Sequence, residues 1–323
     1  MRAQAVQVER AVGRVLCSPI FQHSGKKLLA KGHQISEEDI RLLNGEGHQE
    51  VTVALLDEDE VPEDEAALQI GAEVGAGSVE MQLAAGGRVN LVATENCCLL
   101  LDDDFLKRIN SCGCVSIATM PGLSYAVAGQ RLASVKTIPF AVRRKEFDLA
   151  LQLVRSQGPL LEARPVREPS VAVLYSDPRH CDRARRLFEG VMRTRLERFG
   201  VSVAFVLTAL EKELEVARAL EHLLRARPDV VLMASTTAPA GPEDTVGRAM
   251  RKIGCKMESF LAPVEPGNLL LLSYAGETPV VAAPGCFRSP KPNVVDLVLP
   301  PLLAKYHLTA AEISGLGHGG LLV

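Results

Sequence analysis

The sequence predicts an α/β protein whose last domain, residues 170–323, is a three-layer α/β/α structure with a mostly parallel sheet. Three apolar, strand-like segments, SVAVLY, VSVAFVL and DVVLMAS, follow one another from residue 170. Segments with helical periodicity separate them, and such alternation is typical of parallel sheets with helices on both faces. A further strand and helix, PVVAAPGCF and NVVDLVLPPLLA, complete the pattern.

The first part of the chain, residues 1–79, is predicted to be a small α+β segment. Short strand-like runs flank one helix, which Ser36 would cap with Asp39 in the capping-box position. The acidic run from Asp57 to Glu65 is interpreted as a solvated turn that leads into the short helix AALQIGAEV.

A small β-rich domain is predicted for residues 80–145, because RVNLVA, SIATM and RLASVKTIPFAV alternate apolar and polar residues. One short helix near residues 105–109 interrupts these strands. Residues 146–169 are predicted to be a helix and a linker, since a helical pattern precedes the proline-dotted segment GPLLEARPVREP.

Three helices are predicted to connect the strands of the last domain. Residues 182–199 and the segment around residues 216–224 repeat apolar side chains at helical spacing. A third helix is expected over residues 243–253, after the third strand.

Composition and charge restrict the function. The chain has 323 residues, of which 47% are apolar and 23% charged, and a net charge of −3. Lys and Arg form no stripe with interleaved aromatic residues, so nucleic acid is not an expected partner. Apolar runs are shorter than the roughly 20 residues that span a bilayer, and the start lacks an apolar signal core, so a cytoplasmic protein without a membrane segment is expected.

The cysteines favour a reducing compartment rather than a metal site. Cys112 and Cys114 have the wrong spacing for a zinc knuckle, and no second Cys or His pair follows at ligand spacing. No structural metal is therefore predicted. Most of the other cysteines lie in apolar segments and are expected to be small buried side chains: Cys17, Cys97, Cys98, Cys255 and Cys286.

A polar loop, ASTTAPAGPED, joins the third strand of the last domain to a helix that begins near Asp244. Its small residues let a ligand approach the backbone, and the helix N-terminus would attract a phosphate or another anion. A plain βα loop capped by Asp244 explains the same residues, and both interpretations stay open.

Two Pro-Gly turns punctuate the apolar runs, Pro266-Gly267 and Pro284-Gly285, and Gly285 has no side chain to block a ligand. Cys286 would be reactive only if a helix dipole lowered its pKa. His318 is either a catalytic base on a tail that folds back or a flexible surface residue. The sequence contains no Walker A motif, GxGxxG motif or nucleophile elbow, so phosphoryl transfer to a nucleotide and hydride transfer are not supported.

Several segments resemble the molybdopterin-binding family, which includes molybdopterin molybdotransferase and molybdopterin adenylyltransferase. AVGRVLCSPI and KGHQISEEDIRLL are similar to the amino-terminal part of such proteins, and GRVNLVA with RINSCGCVSIAT to their β-rich part. VEPGNLLLL, APGC, VVDLVLPPLLA and ISGLGHGGL are similar to their carboxy-terminal part. The resemblance thus extends over nearly the whole chain.

The glycine-rich ligand loop of the family, TGGxSxGxxD, departs from its pattern in this chain. Its Thr falls on Ser235, its two Gly on Thr236 and Thr237, and its Ser on Pro239. The final Asp is retained as Asp244. Two β-branched residues replace the glycines, which makes a positive φ costly and puts side chains where the ligand's anionic groups would bind.

The second signature, a Thr-Gly-(Asp/Ser)-Glu turn after the first strand, falls on Tyr175, Ser176, Asp177 and Pro178. A family acidic residue at the start of the next helix falls on Arg186. In the family such carboxylates are associated with molybdate and Mg²⁺, which binds oxygen ligands. A positive charge at residue 186 would instead favour a phosphate or molybdate anion.

The resemblance implies a protein that binds molybdopterin or the molybdenum cofactor in the biosynthesis or delivery of that cofactor. As an enzyme it would insert molybdate into molybdopterin with the help of Mg²⁺, with Asp244 and Asp177 as catalytic carboxylates. The implied partners are a second copy in a two-fold dimer and a molybdoenzyme or its maturation factor. The residues implied to contact the ligand are Ser235, Thr236, Thr237, Asp244, Pro266, Gly267, Pro284, Gly285, Cys286 and Arg186.

Two other functions stay open at this point. The chain could be a non-catalytic scaffold or regulatory relative that has lost the pterin pocket. The segment VAGQRLASVKTIPF also resembles lipoyl- or biotinyl-carrier domains, which need a modifiable Lys at an exposed hairpin tip. Lys136 falls inside a strand pattern instead.

Overall fold

The computed structural model divides the chain into two compact units. One unit comprises residues 1–95, 99–122 and 126–164, and the other residues 96–98, 123–125 and 165–323. The structure describes residues 1–84, 86–137, 140–179, 182–201, 203–235 and 239–322.

The elements of the first half are short and mostly strands. In chain order they are β1 Arg2–Gln7, β2 Val15–Leu16, β3 Ile20–Phe21, β4 Lys27–Leu29, α1 Glu37–Gly45, β5 Glu50–Leu55, β6 Glu60–Pro62, α2 Glu63–Val74, β7 Gly75–Gly77, β8 Val79–Ala84, β9 Arg88–Ala93, β10 Cys97–Leu101, α3 Asp103–Asn110, β11 Val115–Thr119, β12 Tyr125–Ala126, β13 Arg131–Thr137, β14 Ala141–Arg143, α4 Arg144–Gln157 and β15 Leu161–Pro165.

The amino-terminal sheet has the order β1-β5-β2, and α1 packs beside it. The predicted capping box of α1 is confirmed: the Ser36 hydroxyl accepts a hydrogen bond from the Asp39 N–H, and the Asp39 carboxylate accepts one from the Ser36 N–H. Such a box needs only local residues, which is why it could be recognised in the sequence.

The β-rich part contains an antiparallel sheet of order β11-β13-β9-β8. The helix α2 packs on this sheet at Gly71, where an added Cβ would lie 3.0 Å from a methyl carbon of Val89. Lys136 pairs with Ser116 inside β13 and therefore does not occupy a hairpin tip.

The segment expected to be a linker contains a strand. Residues of β15 pair in parallel with β7, and Leu161 and Ala163 are buried while the side chain between them is less so. The sequence did not predict this strand, because three prolines surround it: Pro159 precedes it, Pro165 ends it and Pro169 follows it.

The second half contains one larger sheet and its helices. Its elements are β16 Val171–Asp177, α5 Asp182–Glu197, β17 Val203–Leu210, α6 Glu213–Arg225, β18 Val230–Ser235, α7 Thr245–Lys252, β19 Lys256–Phe260, β20 Leu271–Ala275, β21 Thr278–Ala282, α8 Val294–Leu303 and α9 Ala310–Gly315, with a 3₁₀ turn at Gly285–Arg288.

The predicted α/β class and mostly parallel sheet are confirmed. The six-stranded sheet has the order β17-β16-β18-β21-β20-β19, in which the first four strands run parallel. The strand β20 is antiparallel to both of its neighbours. Each parallel strand therefore ends at the same edge of the sheet, and the loops that follow β16, β18 and β21 lie along that edge.

Helices cover both faces of this sheet. On one face α6 and α7 pack through Val216, Leu220 and Met250 against Leu174 and Met233, among other buried residues. On the other face α5 places the ring of Phe188 on that of Tyr175, with centroids 4.9 Å apart and ring planes 22° apart. The core is thus built on aliphatic packing with few aromatic contacts.

The carboxy-terminal tail folds back onto the segment that precedes Pro266. The Glu265 N–H donates to the Gly320 carbonyl at 2.8 Å, and the Leu322 N–H donates to the Glu265 carbonyl at 2.7 Å. His318 is exposed within this tail. No helix in the described ranges is long and apolar enough to cross a membrane.

Candidate functional site at the carboxyl edge of the sheet

The helices that follow the neighbouring strands β16 and β18 pack on opposite faces of the sheet. Ser176 and Ser235 pair across these strands near their carboxyl ends. The chain leaves β16 toward α5 on one face and leaves β18 toward α7 on the other. In open α/β sheets the crevice at such a divergence, the topological switch point, is where ligands bind.

Asp177 ends β16 on the α5 side of this crevice and is buried. Its Oδ1 accepts a hydrogen bond from the Arg179 N–H at 2.7 Å, and its Oδ2 accepts one from the Tyr175 hydroxyl at 3.3 Å. Within the described residues no cation lies at ion-pair distance from it. Its oxygens therefore keep acceptor capacity for a donor on a ligand.

Ser235 ends β18 on the α7 side and bonds a residue that the sequence analysis missed. Its hydroxyl donates to Glu211 Oε2 at 2.6 Å, and the Glu211 N–H donates to the Asp177 carbonyl at 3.2 Å. Glu211 follows the edge strand β17, so it joins the ends of three adjacent strands. No motif singled it out, since the bond depends on strand order rather than on local spacing.

Asp244 is the N-cap of α7, as one of the two sequence interpretations predicted. Its Oδ1 accepts from the Gly247 N–H at 2.8 Å, and its Oδ2 accepts from the Ala240 N–H at 2.7 Å. Both oxygens are thus engaged by the backbone of the loop and the helix. This carboxylate orders the end of the βα loop.

A small cleft lies at the carboxyl ends of β16, β18 and β21. It comprises about 180 Å³ of empty space that includes open solvent, and no water-sized sphere fits inside it. Thr236 and Thr237, which occupy the places of the family's glycine pair, lie outside the described residues. The residues that line the cleft are Ser176, Met233, Ala234, Ser235, Pro239, Val246, Ala282 and Ala283.

The Pro266-Gly267 turn packs on the N-terminus of α8. The Pro266 carbonyl accepts the Val294 N–H at 3.2 Å. Gly267 has φ +130°, and an added Cβ would lie 2.6 Å from Val294 Cγ1 and 2.8 Å from Val294 N. The turn therefore requires glycine for packing, independently of any ligand.

The Pro284-Gly285-Cys286 turn follows β21 and lies beside the crevice. The Ala283 N–H donates to the Met233 carbonyl at 2.8 Å, which holds the start of the turn against β18. Burial raises the pKa of the Cys286 thiol above its usual value. Cys286 is therefore a neutral thiol near pH 7 and a poor nucleophile.

Arg195 fixes the chain that follows this turn. It is 2% exposed on α5 and donates to the Asp296 carboxylate and to the carbonyl oxygens of Ser289 and Lys291, at 2.7 and 2.9 Å for the carbonyls. Its guanidinium carbon also lies 5.1 Å from the centroid of the Phe287 ring.

Arg186 is exposed in the first half of α5, together with Arg183, while Arg193 is exposed further along the helix. Arg179 is exposed in the loop that leads to α5. Among the described residues none of these four guanidinium groups forms an ion pair. Arg179, Arg183 and Arg186 thus place three exposed positive charges in the segment that follows Asp177.

No three His, Cys, Asp or Glu side chains among the described residues are grouped so that they could hold a metal ion. Asp177 lies on the α5 side of the sheet, whereas Asp244 caps α7 on the other face. Mg²⁺ is often held by only one or two carboxylates together with phosphates of a substrate, so Asp177 and Asp244 as its ligands stay a prediction.

A family model described as a domain of unknown function (DUF8806) matches residues 5–55. No curated protein matches the chain in sequence.

Three solved structures are similar to the chain at low identity. A molybdenum cofactor biosynthesis protein from Pyrococcus furiosus has 13% identity and a TM-score of 0.26 over 94% of this chain, which spans 64% of that protein. The molybdopterin biosynthesis protein MoeA from Pyrococcus horikosii has 11% identity and a TM-score of 0.33, over 98% of this chain and 76% of its own.

A third solved structure, a molybdopterin biosynthesis protein from Mycobacterium abscessus, has 14% identity and a TM-score of 0.30. The match covers 48% of this chain and 98% of that protein. The α/β class of the chain rests on its own sheet rather than on these similarities.

Proposed function

We propose that this chain binds molybdopterin, or a cofactor derived from it, in the switch-point crevice and serves the biosynthesis or delivery of the molybdenum cofactor. The observation that carries the proposal is the divergence of α5 and α7 from neighbouring strands whose ends carry Asp177 and Ser235. The residues that resemble the family's ligand loops fall on this same edge.

The polar groups at this edge suit an anionic, donor-rich ligand. The buried Asp177 carboxylate can accept hydrogen bonds from the amino and ring N–H groups of a pterin. The exposed Arg183 and Arg186 supply positive charge for a phosphate group, and Arg pairs with phosphate in a bidentate way. The anion would thus be held from the α5 side rather than by the N-terminus of α7, where the Asp244 carboxylate already accepts the Gly247 N–H.

Binding is favoured over molybdate insertion by the state of the candidate catalytic groups. Asp244 acts as a helix cap, and Cys286 is a neutral thiol because burial raises its pKa. A metal-assisted transfer needs ligands fixed together around the metal, and the described residues contain no group of three His, Cys, Asp or Glu side chains that could hold one. We therefore infer a binding or delivery role in a cytoplasmic, two-fold dimeric protein that hands the pterin to a molybdoenzyme or its maturation factor.

The test is an anaerobic calorimetric titration of the full chain with molybdopterin. We expect one ligand per chain, and Arg186→Glu should weaken binding at least about tenfold, because it reverses a charge beside the phosphate. Arg193→Glu is the matched control on the same helix, farther from the carboxyl edge, and should change the affinity less than about twofold. Equal affinities of the two variants would contradict the proposed place of the phosphate.

A scaffold that has lost its pocket is the second candidate. The observation in its favour is the cleft itself, in which no water-sized sphere fits, whereas small-molecule sites usually have about 300–1,000 Å³. Heat-denatured and oxidised protein that releases no fluorescent pterin, together with no heat of binding in the titration, would favour the scaffold and overturn pterin binding.

A further inference from the structure

Within the described ranges, the edge strand β17 has no partner strand on its outer side. It stands at the end of the sheet order and pairs only with β16 among the strands of the described residues. Its sequence, VAFVLTAL, contains no charged residue and no proline. A β-bulge at Ala204 interrupts the pairing at its beginning, and the register is regular from Phe205 to Leu210.

This strand also exposes apolar surface. Phe205 is 50% exposed, and Thr208 is exposed on the opposite face of the strand. Natural edge strands are usually protected by lysine, proline, short length or a covering segment, because free N–H and C=O groups recruit another strand. The regular part of β17 contains no lysine and no proline.

We propose that β17 pairs with β17 of a second copy of this chain, antiparallel and about a two-fold axis, so that the two sheets become continuous. A two-fold axis perpendicular to the sheet brings identical edges together and forms an isologous interface. Because the strand carries no charge, two copies meet without like-charge repulsion. This inference specifies the interface of the proposed two-fold dimer and does not depend on pterin binding.

The side chains favour a register centred on Leu207. A two-fold axis perpendicular to the sheet pairs only residues that share a face. Centred on Leu207, it places the exposed Phe205 beside the small Ala209 of the second copy on the α6 face. On the other face it places Val206 beside Thr208, a pair of β-branched residues that suits cross-strand packing.

The test is the oligomeric state of the full chain by sedimentation velocity and light scattering. We expect a dimer of the 34.8 kDa chain. Thr208→Lys should weaken dimerisation at least about tenfold, because the new ammonium groups enter the strand pair. Thr208 is exposed, so this variant should keep its thermal unfolding temperature at low protein concentration. Leu149→Lys is the matched control: Leu149 is 59% exposed on α4, and its variant should remain a dimer.

A charge pair tests the register. Val206→Glu alone should also weaken the dimer, and Val206→Glu combined with Thr208→Lys should restore it to within about threefold, since each introduced carboxylate would then face an introduced ammonium group. A wild-type monomer at about 100 µM would overturn the proposal. A dimer that is unaffected by Thr208→Lys would overturn it as well, and a double variant that stays monomeric would overturn the register.

Discussion

The guanidinium of Arg195 on α5 is paired with the carboxylate of Asp296 on α8, in a place where Arg195 is almost fully buried. Asp296 also accepts the Asn293 N–H at 2.8 Å, so it closes the capping box at the start of α8. Since Arg195 also binds two carbonyl oxygens of the preceding loop, one side chain connects the end of the Pro284-Gly285 turn to α8. An ion pair between α5 and α8 thus stabilises the loop that follows the Pro284-Gly285 turn beside the proposed crevice.

Replacing Arg195 with Met should be strongly destabilising. The variant leaves Asp296 and two carbonyl groups without their donor, and breaking a buried ion pair from one side costs about 3–5 kcal/mol of the free energy of unfolding. Arg193→Met, two residues earlier and exposed on the same helix, should change it by less than about 0.5 kcal/mol. Urea unfolding of both variants checks this, and a similar loss for both would contradict the role of the pair.

Gly267→Ala should destabilise the protein because its Cβ would overlap Val294. Backbone atoms are part of the overlap, so side-chain rotation cannot relieve it, and we expect a loss of more than about 2 kcal/mol. At Gly276, also at positive φ, an added Cβ meets nothing within 4 Å. Gly276→Ala should therefore cost only about 1 kcal/mol. Chemical denaturation that ranks the two variants in the reverse order would refute this account of the Pro266-Gly267 turn.

Asp244 should act as a cap and not as a catalytic or metal-binding carboxylate. Asp244→Ala removes both acceptors and should cost about 0.5–2 kcal/mol of stability. Asp244→Asn keeps one oxygen for the Gly247 N–H, so it should cost less and leave molybdopterin affinity unchanged. Thermal unfolding and the same calorimetric titration measure the two effects. A loss of affinity above about tenfold in the Asn variant would show that the charge is needed by the ligand.

The stability contributed by Asp229 should depend on pH. Burial alone would raise the pKa of Asp229, but hydrogen bonds from Lys305 and Ser170 outweigh it, so the pKa is lowered. Lys305 Nζ lies 2.9 Å from Oδ1, and the Ser170 N–H donates to Oδ2 at 2.7 Å. A lowered pKa in the folded state means that the stabilisation is complete above about pH 3.9, the unfolded pKa, and is lost as pH falls through the folded pKa.

Asp229→Asn should therefore reduce the free energy of unfolding more at pH 7 than at the lowest pH at which the wild type still folds. Urea unfolding at both pH values measures the difference. Asp104→Asn is the control, because Asp104 is exposed and its variant should have a small effect throughout. A loss in Asp229→Asn that is the same at both pH values would contradict the ion-pair explanation.

Features that depend on neighbouring residues could be predicted from the sequence. The capping box of Ser36 and Asp39, the start of α7 at Asp244 and the strand and helix around Pro284-Gly285 all follow from local patterns. The parallel sheet followed from the alternation of strands and helices. Thr236 and Thr237 lie outside the described residues, and their contacts with a ligand stay a prediction.

Features that depend on strand order or on distant residues could not be predicted in this way. Glu211 reaches Ser235 because β17 and β18 flank β16, which local spacing does not specify. Arg195 could be buried only because Asp296 and two carbonyl groups, far away in sequence, meet it there. The strand β15 forms in a proline-dotted segment because β7 offers a partner.

Amide hydrogen exchange of the full chain, with and without saturating molybdopterin, is the most direct test of pterin binding at the switch point. Ligand in the crevice should slow exchange in the segments that follow β16 and β18, around residues 177–186 and 235–247, and leave the amino-terminal sheet of β1, β2 and β5 unchanged. Protection confined to that amino-terminal sheet, or no protection while the titration still shows binding, would contradict the site.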